Sequence, residues 1–548
     1  MKFHKKIAAA VVGLALSFSA FGAEIIINNV DEPGIGFNDP TPATPVGGNT
    51  GTTVGEQRLI AYSRALELWG NTLASDATIV VQGSFARLNC TAGGGTLAQA
   101  GALQIFADFP DAPLEGHWYG AALANSIAGF DLTPGAPDPG SLLPPFNDDI
   151  VANFNGALGE DDCLAGSTWY YGLDNNAGPN EIDFLDTFMH EVSHGLGFQN
   201  FANEVTGTTP LDLPDVYMAN TFDLLFGFPW NFDFGNVATS QLLVRLSAPN
   251  TGNVVWIGDE VNTNSSLVLG PFQGLRTTGN LERELAFGTA SFGPAPTADN
   301  FGGEIALGDD GDDLGGTGSV TDGCEPILSD VAGKVALVDR GACNFTVKAL
   351  NAQAAGATGL IVANSLDRPE FNLGGTDDNV VIPSIGISTA DGDAIKAGLP
   401  GVSIEFFSDP TRLAGTSQGL VRLYAPGVVA LGSSISHFDT VASPNLLMEP
   451  FINSDLRSAT NLDLTPSLMQ DIGWELETLK IGSCDTGVPS ALANGDMLHA
   501  MVDACAADAS NHGQFVSCVS NATNAAKADG LLTGKQKGAI QSCAGESN

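Results

Sequence analysis

Positive charge is scarce in this chain. Its 548 residues carry 21 lysines and arginines against 62 aspartates and glutamates, for a formal net charge of −41. So acidic a surface repels nucleic acids and anionic membranes, which sets both aside as partners, and it helps keep a protein dissolved. Beyond the N-terminal stretch no apolar run is long enough to span a bilayer, which argues against membrane insertion. The cysteines include no CxxC pair, so a structural zinc site or a dithiol redox motif is not supported. No repeat of fixed period is present, and no GxGxxG follows a strand to suggest a dinucleotide site. Histidine is scarce, at 7 in all, and that makes the place of each one informative.

What is there begins with "MKFHKKIAAAVVGLALSFSAFGAE". Lys2, Lys5 and Lys6 precede the apolar run Ile7 to Phe18, and small residues follow around Ala20 to Ala23. That layout is a secretory signal peptide, so residues 1–23 are expected to be removed and the protein to be secreted or periplasmic. All eight cysteines come later: Cys90, Cys163, Cys324, Cys343, Cys484, Cys505, Cys518 and Cys543. An even number in an exported chain reads as disulfides, and their grouping suggests two partners in the first part, two in the middle and four in the tail. No cysteine lies between the signal and Cys90, so latency by a cysteine switch is not supported.

Helical spacing marks "QRLIAYSRALELWGNTL", and "ATIVVQGSF" after it reads as a strand. Helical periodicity returns over Glu181 to Leu196. Between about Leu281 and Pro410 the order changes to strand ("GKVALVDRG"), helix ("NFTVKALNAQAAGA"), strand ("TGLIVAN") and strand ("NVVIPSIGIS"), the pattern of a small α/β module. The last 65 or so residues hold three short helix-like runs with cysteines among them. The acidic run "GDDGDD" (Gly308 to Asp313) lacks the DxDxDG…E spacing, so it reads first as a solvated loop and only second as a Ca²⁺ ligand set.

The chemistry is concentrated in "MHEVSHGLGFQN", Met189 to Asn200. Within it HExxH places His190 and His194 one turn apart on a helix, with Glu191 beside them, while Leu185, Met189, Val192 and Leu196 form an apolar stripe on the other side. Two neutral imidazoles can bind Zn²⁺ without cancelling its charge, and the carboxylate is placed to take a proton from water. Gly195 and Gly197 then end the helix. A catalytic zinc normally takes three protein ligands. Asn200, which occupies the last position of an HExxHxxGxxH run, is a poor one. With His4 in the signal and His499 and His512 in the tail, His117 and His437 remain. His117, in "EGHWYG", reads as a packed or surface residue.

HExxHxxG, a long insertion, "SHF…NLLMEP" and "DLTPSLMQDIGW" together resemble the leishmanolysin-like metzincins. The resemblance implies His190, His194 and His437 as zinc ligands, Glu191 as general base, and Met448 as the methionine turn beneath the metal. It matches Gly197 to the family's glycine and "SLMQDIGW" to its closing helix. It covers residues 50–255 and 411–478, and it departs from the family in the length of the insertion. "GKVALVDRGACNFTVKALNAQAAGATGLIVAN" with "VIPSIGIS" looks like a protease-associated domain, a non-catalytic module of many secreted proteases, in which Cys324 and Cys343 would staple the front loop.

The fold expected is therefore α+β: a metzincin-like zinc protease domain (24–280 and 411–482), interrupted by a protease-associated module (281–410) and followed by a disulfide-linked helical tail (483–548). The function expected is a zinc endopeptidase acting on protein or peptide substrates. Two other readings stand beside it. One is a secreted binding protein with a degenerate zinc site. The other is a serine hydrolase using "GTSQG" (Gly415 to Gly419), although that motif needs a strand before it and a helix after it, and here the strand-like "LVRLYA" follows.

Overall fold

The computed structural model describes residues 22–547, apart from 92–93, 133–147, 205, 225–227, 230–253, 312–318, 366–367, 369 and 427–428. The expected signal peptide lies outside the described residues except for its last two positions, as do Asp312 and Asp313 of the acidic run. The chain divides into two compact units, one running to Leu269 and resuming at Gly415, the other spanning Gly270–Ala414.

In the first unit, helix α1 (Val54–Thr72) starts at a capping box in which Thr53 and Glu56 satisfy each other's backbone amides. Ala61, Ala65, Leu68 and Trp69 recur every three to four residues and are fully buried. Strands β1 (Ile25–Asn29), β2 (Ile79–Ala86), β3 (Ala98–Ala102) and β4 (Ile150–Asn155) form one sheet in the order β1-β2-β4-β3. The first three in that order run parallel, and β3 closes the edge antiparallel to β4. In β2 burial alternates along the strand, as one core-facing side requires. Tyr62 of α1 and Phe154 of β4 pack on Phe188, with ring centroids 4.0 and 5.4 Å away. Helix α2 is Ala121–Ala128, and Phe188 belongs to α3 (Phe184–Leu196). The helix expected from Glu181 begins three residues later, because the Asp183 carboxylate accepts from the amides of Leu185 and Asp186 and so fixes the cap. Glu181–Asp183 is a short strand instead.

The second unit is an eight-stranded mixed sheet. Its strands are β5 (Pro271–Gly279), β6 (Arg283–Leu285), β7 (Gly288–Thr289), β8 (Gly303–Leu307), β9 (Val335–Asp339), β10 (Gly359–Ala363), β11 (Ser384–Ile387) and β12 (Val402–Leu413), in the order β6-β5-β12-β8-β9-β10-β11-β7. Strands β8 to β11 are parallel. Helix α4 (Phe345–Ala354) connects β9 to β10, and α5 (Thr389–Gly398) connects β11 to β12. Successive residues of β9 and β10 enter different cores: Val335, Leu337 and Ile361 pack with Ile395 of α5, while Ala336, Val338, Leu360 and Val362 pack with Ala349 and Ala352 of α4. A parallel sheet covered on both faces needs such continuous apolar strands. The unit is wider than the expected 281–410. Strand β5 pairs along nearly the whole of β12, and the Ala414 amide donates to the Gly270 carbonyl at 2.9 Å, so the boundary falls at those two residues.

After Gly415 the chain returns to the first unit. "GTSQG" is a tight hairpin joining Thr416–Ser417 to Leu420–Val421, with no helix after it, so Ser417 is not on a nucleophile elbow. Helix α6 (Thr465–Ile472) precedes a hairpin of β13 (Thr478–Ile481) and β14 (Cys484–Pro489), and helices α7 (Leu498–Asp508), α8 (His512–Ala528) and α9 (Gly534–Glu546) pack on it through Leu479, Val488, Val502, Val519 and Ile540. The tail expected from residue 483 thus takes in a strand that starts at Thr478, and it groups with the first unit rather than standing apart. The disulfides are Cys90–Cys163, Cys324–Cys343, Cys484–Cys543 and Cys505–Cys518, in keeping with the expected grouping. Among the described residues no helix is long and apolar enough to cross a membrane.

Candidate metal centre

Helix α3 lies against β4 and β3, and Gly195 is what lets it come so close to β4. A Cβ at Gly195 would stand 2.2 Å from Cγ2 of Ile150 on β4, so only a glycine permits this approach. Gly197 ends the helix at φ +127°, where the chain turns away. The Trp474 indole donates to the Leu196 carbonyl at 2.8 Å, tying the segment after α6 to the end of α3.

From this helix His190 and His194 project to the place where His437 arrives. The Nε2 atoms of His190 and His437 are 3.2 Å apart, and so are those of His194 and His190. Each ring donates its Nδ1–H to a backbone carbonyl: His190 to Leu447 (2.7 Å), His194 to Phe198 (2.7 Å) and His437 to Ser433 (2.8 Å). Those bonds fix the tautomers, leaving three Nε2 lone pairs turned on one another. Without a cation that arrangement is repulsive. Tetrahedral zinc at about 2.0–2.1 Å from each nitrogen would space them about 3.3–3.4 Å apart, so the residues fit the ion. Burial holds the imidazoles in the neutral, ligating form: it pushes His190 down to about 3 and His194 to about 4, and His437 well below its ordinary value, with the neighbouring histidines adding to the effect at His190 and His437.

Glu191 is 7% exposed. Burial raises its carboxyl to about 8, and a hydrogen bond from the Ala100 amide, on edge strand β3, pulls the other way. Met448 is fully buried, and its carbonyl accepts from the Phe438 amide at 2.8 Å, lacing the turn that contains Met448 to the residue after His437. Beside His194 opens a cavity of about 380 Å³ lined in part by Gln199, Asn200, Asn203, Glu204 and Leu431.

His117 stays outside this cluster, with its Nδ1 on the Glu115 carbonyl. The Asn200 side chain is engaged elsewhere, its amide donating to Ser436 Oγ at 2.8 Å and its Oδ1 accepting from the Ala202 amide at 3.1 Å. Sequence reasoning missed the supporting carbonyls of Phe198, Ser433 and Leu447, because backbone partners leave no residue-type signal. It also missed Asp463, whose buried carboxylate accepts from the Leu447 amide and so holds the turn whose carbonyl orients His190.

Comparison with known proteins places residues 295–395 in the PA domain family. Among curated relatives, Signal peptide peptidase-like 5 of Arabidopsis thaliana is 31% identical over 168 residues, 30% of each chain. An aminopeptidase of Pseudomonas aeruginosa is 38% identical over 89 residues, 16% of this chain and 14% of that one. Vacuolar-sorting receptor 2 of Arabidopsis thaliana is 43% identical over 72 residues, 12% of each. The chain thus spans less than a third of the length of these relatives. A solved zinc aminopeptidase from Bacillus subtilis is 24% identical and covers 28% of this chain and 37% of that one, at a TM-score of 0.18. So low a score carries no argument. The α/β module is a PA domain, and the reading of the metal centre rests on its own geometry.

Proposed function

We propose that this protein is an exported zinc-dependent endopeptidase of the leishmanolysin-like metzincin type, with a PA domain inserted between its second and third metal ligands. The observation that carries the reading is the convergence of the three Nε2 atoms of His190, His194 and His437, each with its Nδ1 proton committed elsewhere.

When bound, zinc would supply the positive charge that acidifies water and polarises a scissile carbonyl. The chain's own residues do the rest. Glu191, one position from a ligand and held by the Ala100 amide, is placed to take the water's proton and deliver it to the leaving amine. Burial favours the protonated carboxyl, and a nearby cation acts in the opposite sense, so the group is poised between taking and giving. Strand β3 lies at the sheet edge beside α3, where an extended peptide can add as a further strand and set its scissile bond over the histidines.

The test is metal analysis of purified protein alongside a casein assay with and without chelator. One zinc per chain is expected, with activity lost to chelator and restored by added zinc. Hydrolysis indifferent to chelator, or a purified chain that takes up no zinc, overturns the reading.

A further inference from the structure

We propose that the PA domain holds a calcium ion between Asp310, Asp322 and Glu325. A carboxylate oxygen from each of the three lies within 4.8 Å of the others. Calcium binds oxygens at about 2.3–2.6 Å, so oxygens up to about 5 Å apart can share one ion, whereas magnesium at about 2.0–2.1 Å requires a tighter octahedron. Zinc prefers nitrogen and sulfur.

Proximity of acids is not by itself a site, and a second observation carries the argument further. Asp310 is 4% exposed, and its Oδ1 has no hydrogen-bond partner among the described residues. Among the described residues its other oxygen receives only a long contact, 3.5 Å from the Glu325 amide. Burying an acceptor with nothing to accept costs free energy that an ion would recover. Asp322, also buried, is held for the purpose: the Ser319 amide donates to Oδ2 and the Cys324 amide to Oδ1, which fixes the carboxylate and leaves each oxygen a further lone pair.

Lys348, a cation buried nearby among the described residues, does not fill the site. The Lys348 ammonium donates to the Asp322 main-chain carbonyl at 2.6 Å and contacts Cys324 Sγ at 3.3 Å, so those bonds go to backbone and sulfur. The charge on Lys348 is shared among Asp322, Asp310, Asp339 and Glu325, so it does not neutralise the cluster. The ion would tie the segment after β8 to the Cys324 loop, which the Cys324–Cys343 disulfide already anchors from its other side. Of the acidic run noted in the sequence, Asp310 is thus the member that reaches partners twelve and fifteen positions further on.

The experiment is calorimetric titration of the zinc-loaded full chain with CaCl₂ and, separately, MgCl₂, for the wild type, Asp310→Asn and Glu325→Gln. One saturable calcium is expected, with a Kd of about 10⁻⁴–10⁻³ M, the range of extracellular modules. Asp310→Asn should weaken it at least about tenfold and Glu325→Gln several-fold, with zinc content unchanged. Should Asp310→Asn fail to fold, Glu325→Gln, at a half-buried position, decides alone. No saturable binding up to 10 mM overturns the proposal. So does binding of equal strength in the variants, which would put the ion elsewhere on the acidic surface, or a preference for magnesium.

Discussion

Asn200 donates its side-chain amide to Ser436 Oγ at 2.8 Å, and its backbone amide reaches the same oxygen at 3.2 Å. The residue that stands where an HExxHxxGxxH run has its third histidine therefore grips the immediate neighbour of His437. It braces the segment that carries the proposed third ligand.

Loss of His437 should accordingly empty the site while loss of Asn200 should not. His437→Ala is expected to abolish turnover and to lower zinc affinity by more than the roughly 10–100-fold typical of losing a supporting partner. Asn200→Ala and His117→Ala should keep close to one zinc per chain. Metal analysis after dialysis separates these outcomes. Zinc retained by His437→Ala and lost by Asn200→Ala would falsify the ligand assignment.

Glu191→Gln preserves shape but cannot accept a proton. Zinc content should be unchanged and peptide hydrolysis should fall by about 10²–10⁴, the usual range for a general base. A casein assay at matched zinc occupancy decides it, and near-normal activity would remove Glu191 from the chemistry.

The amide of Ala414 and the carbonyl of Gly270 are hydrogen-bonded, so the two ends of the PA unit meet. Replacing residues 271–413 by a short Gly-Ser linker should leave one zinc bound, since the module contributes none of the three histidines. The rate on protein substrates should change relative to that on short peptides. A folded linker variant unable to bind zinc contradicts the insertion scheme.

Gly195→Ala introduces a methyl 2.2 Å from Ile150 Cγ2. The strand and the helix must separate, at a cost of about 1–3 kcal/mol. A lowered thermal midpoint with reduced zinc retention is the expected result, and an unchanged midpoint would show that the helix has room to give.

Asp215 accepts from the amides of Phe201 and Met218, but burial dominates and raises its carboxyl to about 7. Its folded value lies above the unfolded one, so the folded state holds a proton that the unfolded state has released. The stability this contributes is full below about pH 4 and is lost as pH rises towards 7. Thermal midpoints of chelator-treated protein should fall over that window, and Asp215→Asn should flatten the fall. An equal slope in the variant would assign the effect to other raised carboxyls, among them Asp183, Asp463 and Glu449, each at about 7.

Much of this was legible in residue types. The spacing of His190 and His194, the strand–helix–strand order from Val335 to Ala363 and the grouping of the cysteines all depend on local chemistry or short-range periodicity. What stayed hidden depends on partners that sequence does not name. The limits of the PA unit are set by backbone pairing between β5 and β12, and the rings of the three histidines are aimed by carbonyls at Phe198, Ser433 and Leu447. The junction of Asp310 with Asp322 and Glu325 is formed by the fold alone.

His190 and His437 stand 247 positions apart in the chain. At an elongation rate of about 5–20 residues per second, roughly 12–50 s pass between the synthesis of the first and of the last member of the trio. For that whole interval the growing polypeptide carries an incomplete centre. On the proposed reading, the order of synthesis delays completion of the histidine trio until the PA module has already emerged.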